Sequence, residues 1–119
     1  MNLLLVDDDV EVLNTVVGVL EDAGFSVMSA ANAEDAIRQA SRSEPDVLVT
    51  DLDLGAGMNG IELAIEVRRR WPRLPIVYIS GRQWLMNGHV LDEREVFLPK
   101  PFRQQTLVGG VHAVSGGIH

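Results

Sequence analysis

The sequence contains no cysteine among its 119 residues. Disulfide bonds are therefore excluded, and so is a structural zinc site built on cysteine thiolates. A chain of this length buries roughly two-thirds of the surface of its unfolded state, which is enough for one self-sufficient hydrophobic core. The composition thus predicts a single domain over residues 1–119, and the lack of cysteine fits a reducing cytoplasm.

Positive charge is scarce. The formal net charge is −7, and the longest basic run is Arg68, Arg69 and Arg70. Proteins that grip nucleic acid directly need clustered positive charge to displace counterions, so we expect no direct nucleic-acid binding. No apolar run is long enough to cross a bilayer, and the residues after Met1 show none of the features of a signal peptide. We therefore expect a cytoplasmic protein that does not associate with membranes.

Five short apolar runs alternate with amphipathic stretches along the chain. The runs are β-branched or leucine-rich and hardly alternate with polar residues, which is typical of strands buried on both faces. They cover residues 3–6, 25–28, 47–49, 76–79 and 96–98. Five successive β-α units predict an α/β fold with helices on both faces of a parallel sheet. Because a closed barrel needs about eight such units, we expect an open, doubly wound sheet.

The helical stretches between the runs differ in strength. For the first, a capping box between Asp8 and Glu11 is expected, and either Asp8 or Asp9 can serve as the helix cap. The fourth stretch, residues 82–94, is weak because Asn87-Gly88 would break or end a helix. The fifth, residues 103–114, contains Gly109-Gly110, and each glycine costs about 1 kcal/mol relative to alanine. We therefore expect the last helix to be short or frayed.

Polar side chains follow four of the five predicted strands. They are Asp7 and Asp8 after the first, Asp51 and Asp53 after the third, Ser80 after the fourth and Lys100 after the fifth. In open α/β sheets, ligands bind beyond the carboxyl ends of the strands. Crowded carboxylates repel one another, and a hard cation such as Mg²⁺ relieves the repulsion. Since a carboxylate can also form an aspartyl-phosphate, while a lysine and a hydroxyl suit phosphate oxygens, this edge predicts phosphoryl transfer onto an aspartate.

Four motifs, in order and at family-like spacing, resemble the receiver domains of response regulators in two-component signal transduction. They are Val6-Asp7-Asp8, Val49-Thr50-Asp51, Ile79-Ser80-Gly81 and Leu98-Pro99-Lys100-Pro101-Phe102. Each motif alone is weak, but together they are specific, and the resemblance covers nearly the whole chain. It implies a flavodoxin-like fold with strand order 2-1-3-4-5. It also implies a signalling domain rather than an enzyme, with chemistry limited to its own phosphorylation and dephosphorylation.

The resemblance assigns roles to individual residues. Asp51 corresponds to the phosphoacceptor. Asp7 and Asp8 correspond to the acidic pair that holds Mg²⁺, together with Asp51 and the backbone carbonyl of Asp53. Ser80 takes the place of the hydroxyl that binds the phosphoryl group.

The remaining implied roles concern the fifth strand and the partners. Lys100 would pair with the phosphoryl group, and the Lys100-Pro101 bond would be cis. Phe97 takes the place of an aromatic switch residue that moves together with Ser80. The phosphate donor would be a histidine kinase or a histidine phosphotransfer protein. A downstream protein would read the state on the face formed by helix four, strand five and helix five.

Three features depart from the family pattern. Gly55 and Gly57 stand in a loop that is commonly stiffened by proline. Asp53 and Arg82 are expected to form an ion pair that modulates dephosphorylation. The run Trp84-Leu85-Met86 cannot turn wholly inward on one helix, which indicates a surface for a protein partner or for a second copy of the chain.

Two other interpretations stay open at this stage. Asp51-Leu52-Asp53 after a strand also resembles the nucleophile motif of haloacid-dehalogenase-type phosphatases, which would make the chain a small Mg²⁺-dependent phosphatase. Against this, the acidic pair lies upstream and there is no cap. A pseudo-receiver that binds partners without taking phosphate is the other alternative, and the intact set of Asp51, acidic pair and Lys100 argues against it.

Overall fold

The computed structural model describes residues 1–116, except for the side chain of Gln83. Five parallel strands form one sheet in the order β2-β1-β3-β4-β5. The strands are β1 (Asn2–Val6), β2 (Ser26–Ala30), β3 (Val47–Asp51), β4 (Ile76–Ser80) and β5 (Glu95–Pro99). The helices are α1 (Val10–Asp22), α2 (Ala33–Arg42), α3 (Gly60–Arg70) and α4 (Gln104–Ser115). The flavodoxin-like sheet order is therefore confirmed.

The sheet is covered on both faces, which explains why its inner strands are almost wholly apolar. Leu4, Leu48 and Ile76 belong to a core with α2 and α3. Leu3 and Val47, on the opposite face, belong to a second core with α1 and α4. Alternate residues of one strand thus feed two different cores, and neither face is left for polar side chains. Within the described residues, no helix has the length and hydrophobicity needed to cross a membrane.

Helix α1 is capped by Asp9 and not by Asp8. Oδ1 of Asp9 accepts the backbone N–H groups of Glu11 at 3.1 Å and Val12 at 3.3 Å. The prediction of a capping box between Asp8 and Glu11 was wrong, because the N-cap is Asp9 and the third residue of the helix is then Val12, whose side chain cannot accept a hydrogen bond. The backbone N–H of Asp9 donates to Oδ1 of Asp7 at 2.9 Å, so the chain uses one more residue to turn out of β1 before the helix begins. This leaves Asp8 outside the cap, with an exposed side chain.

Helix α4 is longer than its glycines predict. It spans 12 residues, so the expectation of a short last helix was wrong. A side-chain carbon added at Gly110 would lie 3.1 Å from Cδ1 of Leu98 on β5. The glycine therefore lets the helix approach the sheet closely, and the packing of Leu107, Val111 and Val114 outweighs its poor intrinsic propensity.

The connection between β4 and β5 holds no α-helix. A single 3-10 turn, Gln83–Met86, is followed by an irregular segment over residues 87–94. Gly88 has a φ of 83°, which a right-handed helix does not allow, and this agrees with the weak pattern around Asn87-Gly88. The face predicted to consist of helix four, strand five and helix five must be corrected. It consists of the 3-10 turn, residues 87–94, β5 and α4.

Candidate functional site

Three carboxylates meet at the carboxyl edge of the sheet. β1 pairs with β3 so that Val6 lies opposite Thr50, which makes the next residues, Asp7 and Asp51, neighbours. Each of Asp7, Asp8 and Asp51 offers a carboxylate oxygen, and these oxygens lie within 4.8 Å of one another. Hard oxygen donors at this density, one of them exposed, are the donor set that suits Mg²⁺ with part of its water shell. The residues present therefore fit the cation that the sequence resemblance implies.

The buried carboxylates carry an excess of negative charge. Asp7 is 1 % exposed and Asp51 is 7 % exposed. Burial raises the pKa of Asp7, and the nearby charge of Asp51 adds to the effect. The N–H group of Asp9 and the ammonium of Lys100 oppose the rise without cancelling it. A positive charge beside Asp7 and Asp51 would therefore stabilise their ionised forms.

Lys100 brings its ammonium group to the same two carboxylates. Its Nζ lies 2.8 Å from Oδ2 of Asp51 and 3.3 Å from Oδ2 of Asp7. The backbone N–H of Lys100 donates to the carbonyl of Ser80 at 2.8 Å, and the Lys100-Pro101 bond is cis. Burial alone would lower the pKa of Lys100, but the hydrogen bonds and charges of Asp51 and Asp7 outweigh it, and the pKa is raised. Lys100, the only lysine of the chain, is therefore held as a cation.

Both carboxylate oxygens of Asp51 accept hydrogen bonds, one from the local backbone and one from Lys100. Its Oδ1 accepts the N–H of Asp53 at 3.0 Å, while its Oδ2 accepts from Lys100. A side-chain carbon at Gly60 would overlap the backbone oxygen of Asp51, so only glycine allows the first turn of α3 to pack there. Sequence reasoning missed this positioning role of Gly60. The sequence feature that could have indicated this role is the Asn59-Gly60 pair, which begins a helix directly after the loop that follows Asp51.

Ser80 and Phe97 lie on neighbouring strands. Ser80 ends β4 and is 1 % exposed, and its Oγ accepts the N–H of Arg82 at 2.9 Å. Phe97 lies opposite Tyr78 in the pairing of β4 with β5 and packs, half-buried, against the core of α2 and α3. Ser80 thus ends the strand next to the one that ends at Asp51, and Phe97 lies one diagonal step from Ser80 on β5.

Asp53 and Arg82 face each other across the loops that follow β3 and β4. Nη1 of Arg82 lies 3.0 Å from Oδ2 of Asp53, and both side chains are largely exposed. Oδ1 of Asp53 also accepts the N–H of Gly55 at 3.2 Å. The structure thus brings together the pair expected from the sequence and ties it to the glycine loop.

Comparison with known proteins identifies the family. Residues 3–112 match the response regulator receiver domain. The chain belongs to this family of signalling domains, in which phosphorylation on an aspartate is characteristic. The sequence resemblance is thereby confirmed.

Individual relatives agree with this assignment. The nitrogen assimilation regulatory protein NtrX of Azorhizobium caulinodans is 32 % identical over 110 residues, which is 90 % of this chain and 24 % of that protein. The chain thus spans about a quarter of the length of such curated relatives. Among solved structures, a response regulator receiver protein from Sinorhizobium medicae has a TM-score of 0.84 and 31 % identity, and the match covers 98 % of this chain and 94 % of that one. The receiver domain of NtrX from Brucella abortus has a TM-score of 0.79 and 25 % identity, covering 94 % and 97 %.

Proposed function

We propose that residues 1–119 form a single cytoplasmic receiver domain that is phosphorylated on Asp51 in a Mg²⁺-dependent reaction. The donor is a histidine kinase or a histidine phosphotransfer protein. The observation that carries the proposal is the position of Lys100, whose ammonium group bonds Asp51 at 2.8 Å inside a cluster of three carboxylates. A structural ion pair would need one carboxylate, whereas a phosphoryl site needs a nucleophile, a cation site and a fixed positive charge together.

The roles of the residues follow from these contacts. A carboxylate oxygen of Asp51 attacks the phosphorus of the donor's phosphohistidine, and the phosphorus–nitrogen bond breaks as the new phosphorus–oxygen bond forms. Lys100 neutralises charge on the phosphoryl oxygens, and the hydroxyl of Ser80 donates a hydrogen bond to one of them. Asp7, Asp8, Asp51 and the carbonyl of Asp53 would hold Mg²⁺, which when bound supplies further charge neutralisation.

The phosphorylated state is read on the corrected face of the domain. Ser80 moves toward the phosphoryl group, and Phe97 turns into the space beside it. This changes the face formed by the 3-10 turn, residues 87–94, β5 and α4. Trp84 is 63 % exposed on that face, and such a side chain suits a downstream protein partner or a second copy of the chain.

Incubation with acetyl phosphate and Mg²⁺, followed by intact mass measurement, tests the proposal. The wild type should gain one phosphoryl group, and the gain should vanish in Asp51→Asn and in EDTA. Asp22→Asn, an exposed change at the end of α1, serves as the matched control and should behave like wild type. If the wild-type chain takes up no phosphate, the proposal is wrong and the pseudo-receiver interpretation is favoured. Steady turnover of a simple phosphate ester would instead favour the phosphatase.

The ion pair of Arg82 and Asp53 is proposed to shield the phosphorylated aspartate from water. Each residue lies two positions beyond a site residue, and the pair is fastened to the loop through Gly55. Arg82→Ala and Asp53→Ala should each shorten the lifetime of the phosphorylated form by at most about fivefold, because a half-exposed ion pair contributes no more than about 1 kcal/mol. Arg73→Ala, at the opposite edge of the sheet, is the control. An unchanged lifetime in Arg82→Ala would rule the idea out.

A further inference from the structure

A carboxylate lies buried beside the face formed by the 3-10 turn, residues 87–94, β5 and α4. The side chain of Glu95, at the start of β5, is only 5 % exposed. Its Oε2 accepts the hydroxyl of Tyr78 at 2.6 Å and lies 3.3 Å from Nε2 of His89. Its Oε1 accepts the backbone N–H of Asp92 at 3.0 Å. A carboxylate that is removed from water is stable only with such hydrogen-bond partners, so Glu95 and its partners fix one another's positions.

Helix α3 enters the same group of contacts through Arg68. Nη1 of Arg68 lies 2.8 Å from Oδ2 of Asp92 and 3.7 Å from Oε2 of Glu95. Its Nε donates to the carbonyl of Leu74 at 2.9 Å, which fixes the guanidinium against the loop before β4. The five side chains Arg68, Tyr78, His89, Asp92 and Glu95 are called the Glu95 network below. The network joins α3, β4 and β5 to the segment 87–94.

The segment 87–94 contacts the rest of the domain through this network. None of its residues is fully buried, and Val90 is 88 % exposed. The ring of His89 instead meets the ring of Tyr78 edge-on, with centroids 5.5 Å apart. Burial and the bond to Glu95 raise the pKa of Tyr78, so its hydroxyl remains a donor at ordinary pH. The segment is therefore held against the sheet by the hydrogen bonds of the Glu95 network, by this ring contact and by the N–H of Ile76, which donates to the carbonyl of Arg94 at 2.8 Å.

The network also adjoins the proposed switch. Tyr78 precedes Ser80 by two residues on β4, and Glu95 precedes Phe97 by two residues on β5. Tyr78 and Phe97 lie directly opposite each other in the strand pairing. A turn of the Phe97 ring toward Ser80 therefore takes place beside the bond between Tyr78 and Glu95.

We propose that the Glu95 network is a latch that holds residues 87–94 against the sheet and that phosphorylation opens it. The second half of this statement rests on the proposed function. Opening frees the segment to adopt a different arrangement on the face that a partner reads. Because coupling between two sites is reciprocal, a weakened latch must in turn strengthen binding of the phosphoryl group.

Amide hydrogen exchange of the unphosphorylated protein tests the latch itself. In Tyr78→Phe, which removes only the hydroxyl, exchange at Asp92, Arg94 and Glu95 should accelerate about tenfold or more, since a hydrogen bond to a charged partner is lost. Exchange in β1 and β3 should stay as in wild type. Glu93→Gln, an exposed change in the same segment, is the matched control. If Tyr78→Phe exchanges like Glu93→Gln at these amides, the latch does not exist. Faster exchange throughout the sheet would equally overturn it, because Tyr78 would then support the whole fold and not the segment.

Affinity for a phosphoryl mimic tests the coupling. The mimic is beryllium fluoride with Mg²⁺, and its binding is measured by NMR from fluorine or amide resonances. Tyr78→Phe should bind it about fivefold or more tightly than wild type, and Glu93→Gln should bind it like wild type. His89→Gln gives a second, independent loosening of the latch and should shift the affinity in the same direction. Equal or weaker binding in both variants overturns the coupling. If the wild type takes no phosphate from acetyl phosphate, the proposed function fails and the coupling with it, while the exchange result still decides the latch.

Discussion

The Nζ atom of Lys100 lies 2.8 Å from Oδ2 of Asp51, a residue 49 positions earlier in the chain. The same ammonium group lies 3.3 Å from Oδ2 of Asp7, which is 93 positions earlier. The ends of β1, β3 and β5 are thus joined by one side chain at the point where buried negative charge collects. This arrangement makes the ammonium group the first target for testing the site.

Replacement of Lys100 by alanine should slow phosphorylation of Asp51 strongly. The variant loses the ammonium group that would bond the phosphoryl oxygens in the transition state, an interaction of about 1.5–3 kcal/mol, so the rate should fall by about ten- to hundredfold. Intact mass measured over time with acetyl phosphate and Mg²⁺ gives this rate. Lys100→Arg, which keeps the positive charge in a bulkier group, should retain part of it. A rate in Lys100→Ala equal to that of wild type would show that the ammonium group has no part in the transfer.

The titration of Lys100 should report the same contacts. Its pKa is raised because Asp51 and Asp7 together outweigh the effect of burial, so the folded protein binds this proton more tightly than the unfolded chain. The contribution to stability is therefore fully present below the unfolded pKa and is lost as the pH rises through the folded value. Because the chain has one lysine, a single side-chain carbon resonance follows the titration without assignment. In Asp51→Asn the midpoint should move down, and an unmoved midpoint would contradict the charge coupling.

Much of this site is predictable because its positions follow from strand ends. Asp7, Asp51 and Lys100 each come at or directly after the end of a strand that an apolar run predicts, and parallel strands bring those ends to one edge. The sequence left both Asp8 and Asp9 as candidate caps of α1, because consecutive aspartates offer equal capping chemistry, and only the turn out of β1 decides for Asp9. The length of α4 was missed because it depends on the close packing of Gly110 against Leu98. These two residues lie on different elements, so no local sequence pattern contains their contact. The Glu95 network depends likewise on residues from separate elements.

The glycine loop after β3 offers a matched pair of variants for the metal site. Gly55 has a φ of 76° and Gly57 a φ of 92°, so an alanine strains the backbone at either position, by about 1 kcal/mol or more. Only at Gly55 would the added carbon approach Asp8, with its Oδ2 at 3.2 Å, while at Gly57 it meets open space. Gly55→Ala and Gly57→Ala should therefore lose similar stability in EDTA.

Mg²⁺ affinity should separate the two variants. Gly55→Ala should bind the cation about tenfold more weakly, because a displaced carboxylate costs on the order of 1.4 kcal/mol in a site that demands near-ideal geometry. Gly57→Ala should bind like wild type. Tryptophan fluorescence or the Mg²⁺-dependent shift of the melting temperature provides the measurement. Equal weakening in both variants would mean that loop strain, and not the position of Asp8, sets the affinity.

The paired glycines of α4 test how the last helix is held against β5. Both lie inside the helix, but an alanine carbon at Gly109 meets nothing within 4 Å, whereas at Gly110 it would press against Leu98 at 3.1 Å. Gly109→Ala should raise the free energy of unfolding by about 0.5–1 kcal/mol through helix propensity alone. Gly110→Ala gains the same propensity but must push the helix or the Leu98 side chain aside, which costs about 1–3 kcal/mol in a packed core, so it should be neutral or destabilising. Denaturant unfolding of the two variants gives the comparison directly. If both glycines gave the same stabilisation, the close approach of α4 to the sheet would not be what keeps Gly110 small, and helix propensity alone would govern this end of the domain.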